Sequence, residues 1–388
     1  MKTLAAALAA LAMLVAAEGG AAEAPKDPPK DPPVFKIGAI LAMTGQASFV
    51  GQVMSQGMKQ AVDEINAKGG VDGIKLEAEI EDHKGGGGQD GVAAMNRLVS
   101  IHHVQALLTS FSAPTIAIAP IADQQHVLLV NGGAVSAKLA GLSPYLFNTR
   151  SLATDLSRVA IAYAHEIGAK RMAQIQWQND VGDNIVQIAT PLWKSGGGTI
   201  VASEAVAQGA TNMDTQVAKV RAANPDVIAL WLFTPEVALA LKRLRDFGMK
   251  QPVIGVEFTE NDANIAGAAA NNYFFANDYF APSDDNPWSK QFAADYKTRY
   301  GMDPDIYAAN YYEGTYLIAE CIKRARAKGG DYWNGDALRQ ALLSDPKFDS
   351  VYGGQMVFQP NGVALKRTAL FTAEDGKKKF VKLMEVTQ

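Results

Sequence analysis

A single cysteine, Cys321, stands among 388 residues. No disulfide can close within one chain, and no thiolate cluster can hold zinc. Histidine is scarce too, at five residues. His102 and His103 are adjacent, so in a helix or strand they point apart and do not make a metal site. The charge has no basic excess: a net value of −4 argues against the basic stripe that nucleic acid requires. No Gly-X-Ser-X-Gly elbow and no triad-like setting surrounds any serine. The apolar run at 4–17 is short for a membrane span, and no later stretch is long and apolar enough to cross a bilayer. With these devices missing, stability must come from burial, which the length allows.

What is present begins with a secretory pattern. Lys2 precedes the apolar run, and Gly20 and Ala22 suit cleavage after 22. Residues 1–22 are therefore expected to be a signal peptide, and the chain to work outside the cytoplasm. Residues 23–33 carry "PKDPPKDPP", which forms neither helix nor sheet and reads as an extended tether.

From Val34 onward strand and helix patterns alternate. "VFKIGAILA" (34–42) reads as strand; 51–70 reads as helix, with Met54, Met58, Val62 and Ile65 on one face. A second set of such units follows "YLFNTR" (145–150), and the tail reads as β-hairpins. The fold class expected is α/β, two Rossmann-like lobes with parallel sheets joined by three crossovers near 148–150, 277–279 and 352–354. Lobe one is placed at 34–150 plus 280–352, and lobe two at 151–279 plus 353–388.

In open parallel sheets, ligands sit beyond the carboxyl ends of the strands. Those ends fall at 43–45, 111–115 and 131–134 in lobe one, and at 177–180, 233–235 and 257–259 in lobe two. Ser112 is read at a helix N-cap, with free N–H groups from Ala113, Thr115 and Ile116 suited to a carboxylate. The plain alternative is that Ser112 only caps its own helix. Asn131-Gly132-Gly133 lets backbone come close to a ligand, because glycine has no Cβ. Glu257 ends an apolar strand, and its carboxylate suits an ammonium group or simply faces solvent. Phe49, Trp177 and Phe233 supply apolar walls or ordinary core. Residues 86–91 match G-x-G-x-x-G literally. They follow the second strand rather than the first, and the next strand ends without an acid for ribose, so a surface turn is the better reading.

Two stretches carry a resemblance. "VFKIGAILAMTGQASFVGQVMSQGMKQAVDEINAKGGVDGIKLEAEIED" and "SFSAPTIAIAPIADQQHVLLVNGGA" resemble the periplasmic leucine/isoleucine/valine-binding protein family, type I solute-binding receptors of ABC importers. The resemblance runs from Val34 essentially to the end. It implies that Ser112, Ala113 and Thr115 take a ligand carboxylate, that Gly133 and Ala134 bind through backbone, and that Glu257 takes an amino group. It also implies that Phe49, Phe233 and Thr234 face the cleft. Val181-Gly182 and Trp177 depart from the family pattern; Trp177 either stacks on an aromatic acid or fills the space left by Val181.

The function expected is that of a receptor, not an enzyme. It would use no metal or cofactor, act as a monomer, deliver a small branched-chain or aliphatic amino acid to a membrane permease, and bind no nucleic acid. The alternatives are a receptor for an aromatic carboxylate or amide, a ligand sensor of the same fold, and, further off, a secreted dinucleotide-dependent oxidoreductase.

Overall fold

The computed structural model describes residues 33–283, 285–329 and 331–384. The expected signal peptide, and all of the tether but Pro33, lie outside these residues, as do 385–388.

The first unit runs β1 (Val34–Leu41), α1 (Ser48–Ala67), β2 (Lys75–Asp82), α2 (Gly88–Ser100), β3 (Ala106–Thr109), α3 (Ser112–Gln125), β4 (Leu128–Asn131), β5 (Leu146–Asn148). The second runs α4 (Ala153–Glu166), β6 (Arg171–Trp177), α5 (Asp180–Ser195), β7 (Thr199–Val206), α6 (Asp214–Ala222), β8 (Val227–Trp231), α7 (Glu236–Asp246), β9 (Val253–Val256), α8 (Glu260–Ala266), β10 (Tyr273–Asp278). Then come α9 (Pro287–Tyr300), α10 (Ile306–Ala327), α11 (Gly335–Ser344), β11 (Lys347–Asp349), β12 (Gln355–Phe358), β13 (Ala364–Leu365), β14 (Thr368–Glu374) and β15 (Lys377–Met384).

The first sheet has the order β2-β1-β3-β4-β5 and is parallel throughout. β3 and β4 are buried along their whole length, which is why they read as unbroken apolar runs. The predicted α1 stripe of Met54, Met58, Val62 and Ile65 is buried. The second sheet has the order β15-β14-β10-β9-β8-β6-β7. It is parallel from β7 to β10, and the β14–β15 hairpin adds antiparallel strands at one edge.

After β10 the chain returns to the first sheet. α10 lies so close to α1 that a Cβ on Gly57 would sit 2.1 Å from the Ala308 carbonyl oxygen. The Tyr311 hydroxyl ties α10 to the end of β3, donating to the Thr109 carbonyl at 2.7 Å. The small sheet β11-β12-β13 also belongs here, because Phe348, Met356, Phe358 and Ala364 pack into the first core. The last passage to the second sheet therefore runs through Lys366 and Arg367, later than the 352–354 expected. Gly353 and Gly354 form a turn at positive φ, and a turn alone does not end a lobe when the next apolar residues pack back.

Candidate functional site

A cavity of ≈ 150 Å³ lies where the carboxyl ends of the two sheets face each other. Its first-unit wall comes from Ala47, Val50, Phe111, Ser112, Ala113 and 133–135. Its second-unit wall comes from Trp177, Asn179, Asp180, Val181, Gln208, Phe233 and Thr234, with Tyr307 of α10 at the back. The units touch across it. Asn184 of α5 accepts the Ala137 N–H at 3.0 Å, and Gln208 Nε2 donates to the Gly85 carbonyl at 3.5 Å.

Ser112 is the first residue of α3, and Phe111 is its N-cap, one position earlier than expected. Phe111 holds φ 59, a region costing a non-glycine residue roughly 1–3 kcal/mol and typical of functional sites. The Ser112 and Ala113 N–H groups precede the first helical hydrogen bonds, and Pro114 has none to offer. The Thr115 N–H, expected to be free, bonds the Phe111 carbonyl at 3.1 Å. The Thr115 hydroxyl is likewise spent, on that carbonyl at 2.7 Å and on Thr109 at 2.9 Å. Ser112 Oγ accepts the N–H groups of Val135 at 3.3 Å and Ser136 at 3.1 Å. A hydroxyl has two acceptor positions and one proton, so the Ser112 proton remains after both acceptor positions are filled.

Gly133 and Ala134 line the cavity, but their N–H groups bond Asn131 Oδ1 at 3.1 and 2.7 Å. What the site needs at Gly133 is space: a Cβ there would lie 2.8 Å from Met54 Cε and 2.9 Å from the Tyr311 hydroxyl. Asn131 lies in the strand end 131–134 singled out from the sequence; its side chain folds back on its own backbone, as Asn before Gly-Gly commonly does.

In the second wall, Trp177 and Phe233 pack with ring centroids 5.0 Å apart and planes tilted by 41°. Gly182 lets α5 start directly over Trp177; a Cβ there would be 2.0 Å from the Trp177 carbonyl oxygen. The Trp177 indole N–H and Glu236 Oε2 are both buried, with no partner other than each other. Burial pushes the Glu236 carboxyl up, against the pull of the Gly209 N–H and the Trp177 indole. Thr234 Oγ1 accepts from Asn261 Nδ2 at 3.2 Å.

Three expected residues do not line the cavity. Phe49 packs against the first core, and its place is taken by Ala47 and Val50. Thr115 lies beneath the α3 start. Glu257 is 1% exposed and sits behind Tyr307, whose hydroxyl donates to Glu257 Oε1 at 2.5 Å. Arg150, fully buried, reaches Glu257 Oε2 through Nη2 at 3.4 Å and the Gly133 carbonyl through Nη1 at 3.0 Å. Burial pushes the Glu257 carboxyl up to about 7, while Arg150 and Tyr307 pull it down. Burial also opposes the charge of Arg150, but Tyr307, Glu257 and Asp278 hold its pKa above the ordinary value. Neither Tyr307 nor Arg150 carried a local signal, since each meets its partners only through the fold.

The glycines at 86–91 answer to packing. A Cβ on Gly86 would meet the Phe111 ring at 2.9 Å, and one on Gly91 would meet Pro114 at 2.8 Å. Beside them His83 is fully buried. Ser110 Oγ donates to the Ile40 carbonyl at 2.8 Å, so it accepts from His83 Nε2 at 2.9 Å; the ring is the neutral Nε2–H tautomer. Burial pushes the His83 pKa down to about 4. The unfolded chain then takes up this proton first as pH falls, so stability drops from about pH 6.5 towards 4. Wild type should lose about 2 kcal/mol more than His83→Gln between pH 7 and 4.5 in urea unfolding. Equal losses in the two proteins would remove His83 from the account.

A family model described as "Periplasmic binding protein" matches residues 34–378. The chain is 26% identical to the Leu/Ile/Val-binding protein BraC3 of Rhizobium johnstonii, over 88% of this chain and 92% of that protein. Among solved structures, it resembles the branched-chain amino acid transporter substrate binding protein LivJ of Streptococcus pneumoniae in complex with isoleucine. There the TM-score is 0.82 at 24% identity, covering 90% of this chain and 99% of that one. An ABC transporter solute binding protein of R. palustris in complex with benzoate gives the same TM-score, 0.82, at 18% identity, covering 90% and 96%. At such identities the structural likenesses establish the fold, two α/β units with parallel sheets, and nothing finer.

Proposed function

The chain belongs to the periplasmic binding protein family, and on that premise we propose that it is the extracytoplasmic receptor of an ABC importer. It binds rather than transforms a small carboxylate with an apolar body, and hands it to a membrane permease. Among the described residues, lobe one holds 34–150 and 280–365, and lobe two holds 151–279 and 366–384. They close by hinge bending, a known response to small ligands.

The observation that carries this reading is the state of Ser112. Its acceptor positions are filled by Val135 and Ser136, and its proton joins the Ser112 and Ala113 N–H groups at the positive end of α3. That is a donor cluster for an anion. The size supports a small cargo: a dry cavity of roughly 150 Å³ accommodates benzene. Isoleucine in the S. pneumoniae protein and benzoate in the R. palustris protein are both carboxylates on compact apolar bodies. The Trp177–Phe233 pair favours the aromatic member of that description, through offset ring packing.

A thermal-shift screen of aliphatic amino acids, benzoates and amides tests the ligand class, since a ligand of the native state raises Tm by mass action. Ser112→Ala should weaken any carboxylate hit by about 10- to 100-fold, the range for a hydrogen bond to a charged group. Calorimetry showing unchanged affinity would place the carboxylate elsewhere.

A further inference from the structure

The polar groups around the cavity are largely bonded to one another, and their acceptor oxygens each hold at least one donor. Asn179 Oδ1 already accepts the Val181 and Gly182 N–H groups, both at 3.1 Å. Gln208 Oε1 accepts from Asn179 Nδ2 at 3.3 Å, and Thr234 Oγ1 accepts from Asn261. The Gly133 carbonyl is bonded to Arg150 and the Ala134 carbonyl to Asn131 Nδ2, at 3.0 and 2.9 Å. Against these stand the Ser112 hydroxyl proton and the first N–H groups of α3.

The acids follow the same pattern. Asp180, the one acid among the described lining residues, is exposed at the mouth, 3.9 Å from Lys138 Nζ. Glu257 is the buried acid nearest in role to an ammonium receptor, yet both of its oxygens have donors: Tyr307 on Oε1 and Arg150 on Oε2. The Arg150 guanidinium also lies 5.5 Å from the centroid of the Tyr307 ring, so the cation, the acid and the ring form one closed group.

We infer that the cleft selects carboxylates lacking an α-amino group, because Glu257, the acid a ligand ammonium would need, is buried outside the cavity lining and held there by Arg150 and Tyr307. This rests on the reading of the cleft as a carboxylate site. An ammonium carried into the cavity would leave water for a lining whose one acid, Asp180, is exposed to solvent, and it would approach the guanidinium held at Gly133. Burying an uncompensated charge is strongly unfavourable. Arg150 acts here through Glu257 and is a positioning residue.

The test uses the wild-type protein and matched ligands that differ only in the amine: L-leucine against 4-methylpentanoate, and L-phenylalanine against 3-phenylpropanoate, with benzoate as a further carboxylate. Calorimetry should show the deaminated member of a pair binding at least ~100-fold more tightly, as a buried unpaired charge costs several kcal/mol. An amino acid binding as tightly as its deaminated partner, or more tightly, overturns the inference while leaving the carboxylate site intact. Binding of none of the five compounds overturns the carboxylate reading and this inference with it.

Discussion

Arg150→Met is expected to cost about 3–5 kcal/mol of folding stability at pH 8, the typical penalty for stripping one partner from a buried ion pair. The loss has two sources. Glu257, 1% exposed, keeps only the Tyr307 hydroxyl, and the Gly133 carbonyl loses its Nη1 donor. The pH dependence has a definite sign. Burial already pushes the Glu257 carboxyl up to about 7 with Arg150 in place. Without the guanidinium that value climbs further. Both proteins hold Glu257 protonated well below 7, so its contribution to the difference is small there. The deficit grows as pH rises through 7, where only the wild type can ionise the group at moderate cost. Arg150→Met combined with Glu257→Gln should recover more than half of the loss at pH 8, because the amide carries no charge and still accepts from Tyr307. Urea unfolding of the four proteins measures the coupling. Strict additivity of the two single effects would show that Arg150 and Glu257 are not an ion pair.

The same group shows what a single sequence can and cannot display. That Glu257 ends a strand facing the cleft followed from the parallel-sheet pattern, because strand ends lie on one side of such a sheet. Who neutralises Glu257 did not follow, since Arg150 and Tyr307 come from distant elements and only the closed fold brings them within 3.4 Å. The cleft itself was legible. Ser112, Ala113, Gly133, Ala134, Trp177, Phe233 and Thr234 all line one cavity, each at the carboxyl end of a strand. The state of their polar groups was less so. Thr115 lost its N–H to Phe111 because the helix starts at Ser112 rather than after it.

Elements were readable in proportion to their apolar patterning. α1 and α10 carry long buried stripes. α8 is seven residues long, with only Asp262 and Ala266 buried, too little for a periodic signal. Its Thr259–Asp262 capping box was the local cue available. The final passage between units was misplaced by a glycine pair. The buried Met356 and Phe358, only a few residues on, decide where the chain belongs.

Trp177→Ala is expected to lower ligand affinity by at least ~30-fold, as removal of a buried aromatic anchor costs 2 kcal/mol or more. It should also lower stability by roughly 3 kcal/mol, the low end for deleting a buried Trp side chain, because the indole already borders empty space. The two effects separate the alternatives for this residue. If Trp177 merely fills the volume beside Val181, Tm falls while the affinity of the folded fraction stays near wild type. If it is a wall for the ligand, both fall, and Trp177→Phe restores most of each. The phenyl ring keeps the packing on Phe233, 5.0 Å away in the wild type, and removes the indole N–H that faces the Glu236 carboxyl. A Phe variant as poor as the Ala variant in binding, yet as stable as wild type, would instead assign the indole N–H as a donor to the cargo. Calorimetry on the three proteins, with Tm measured on the same samples, decides among these outcomes.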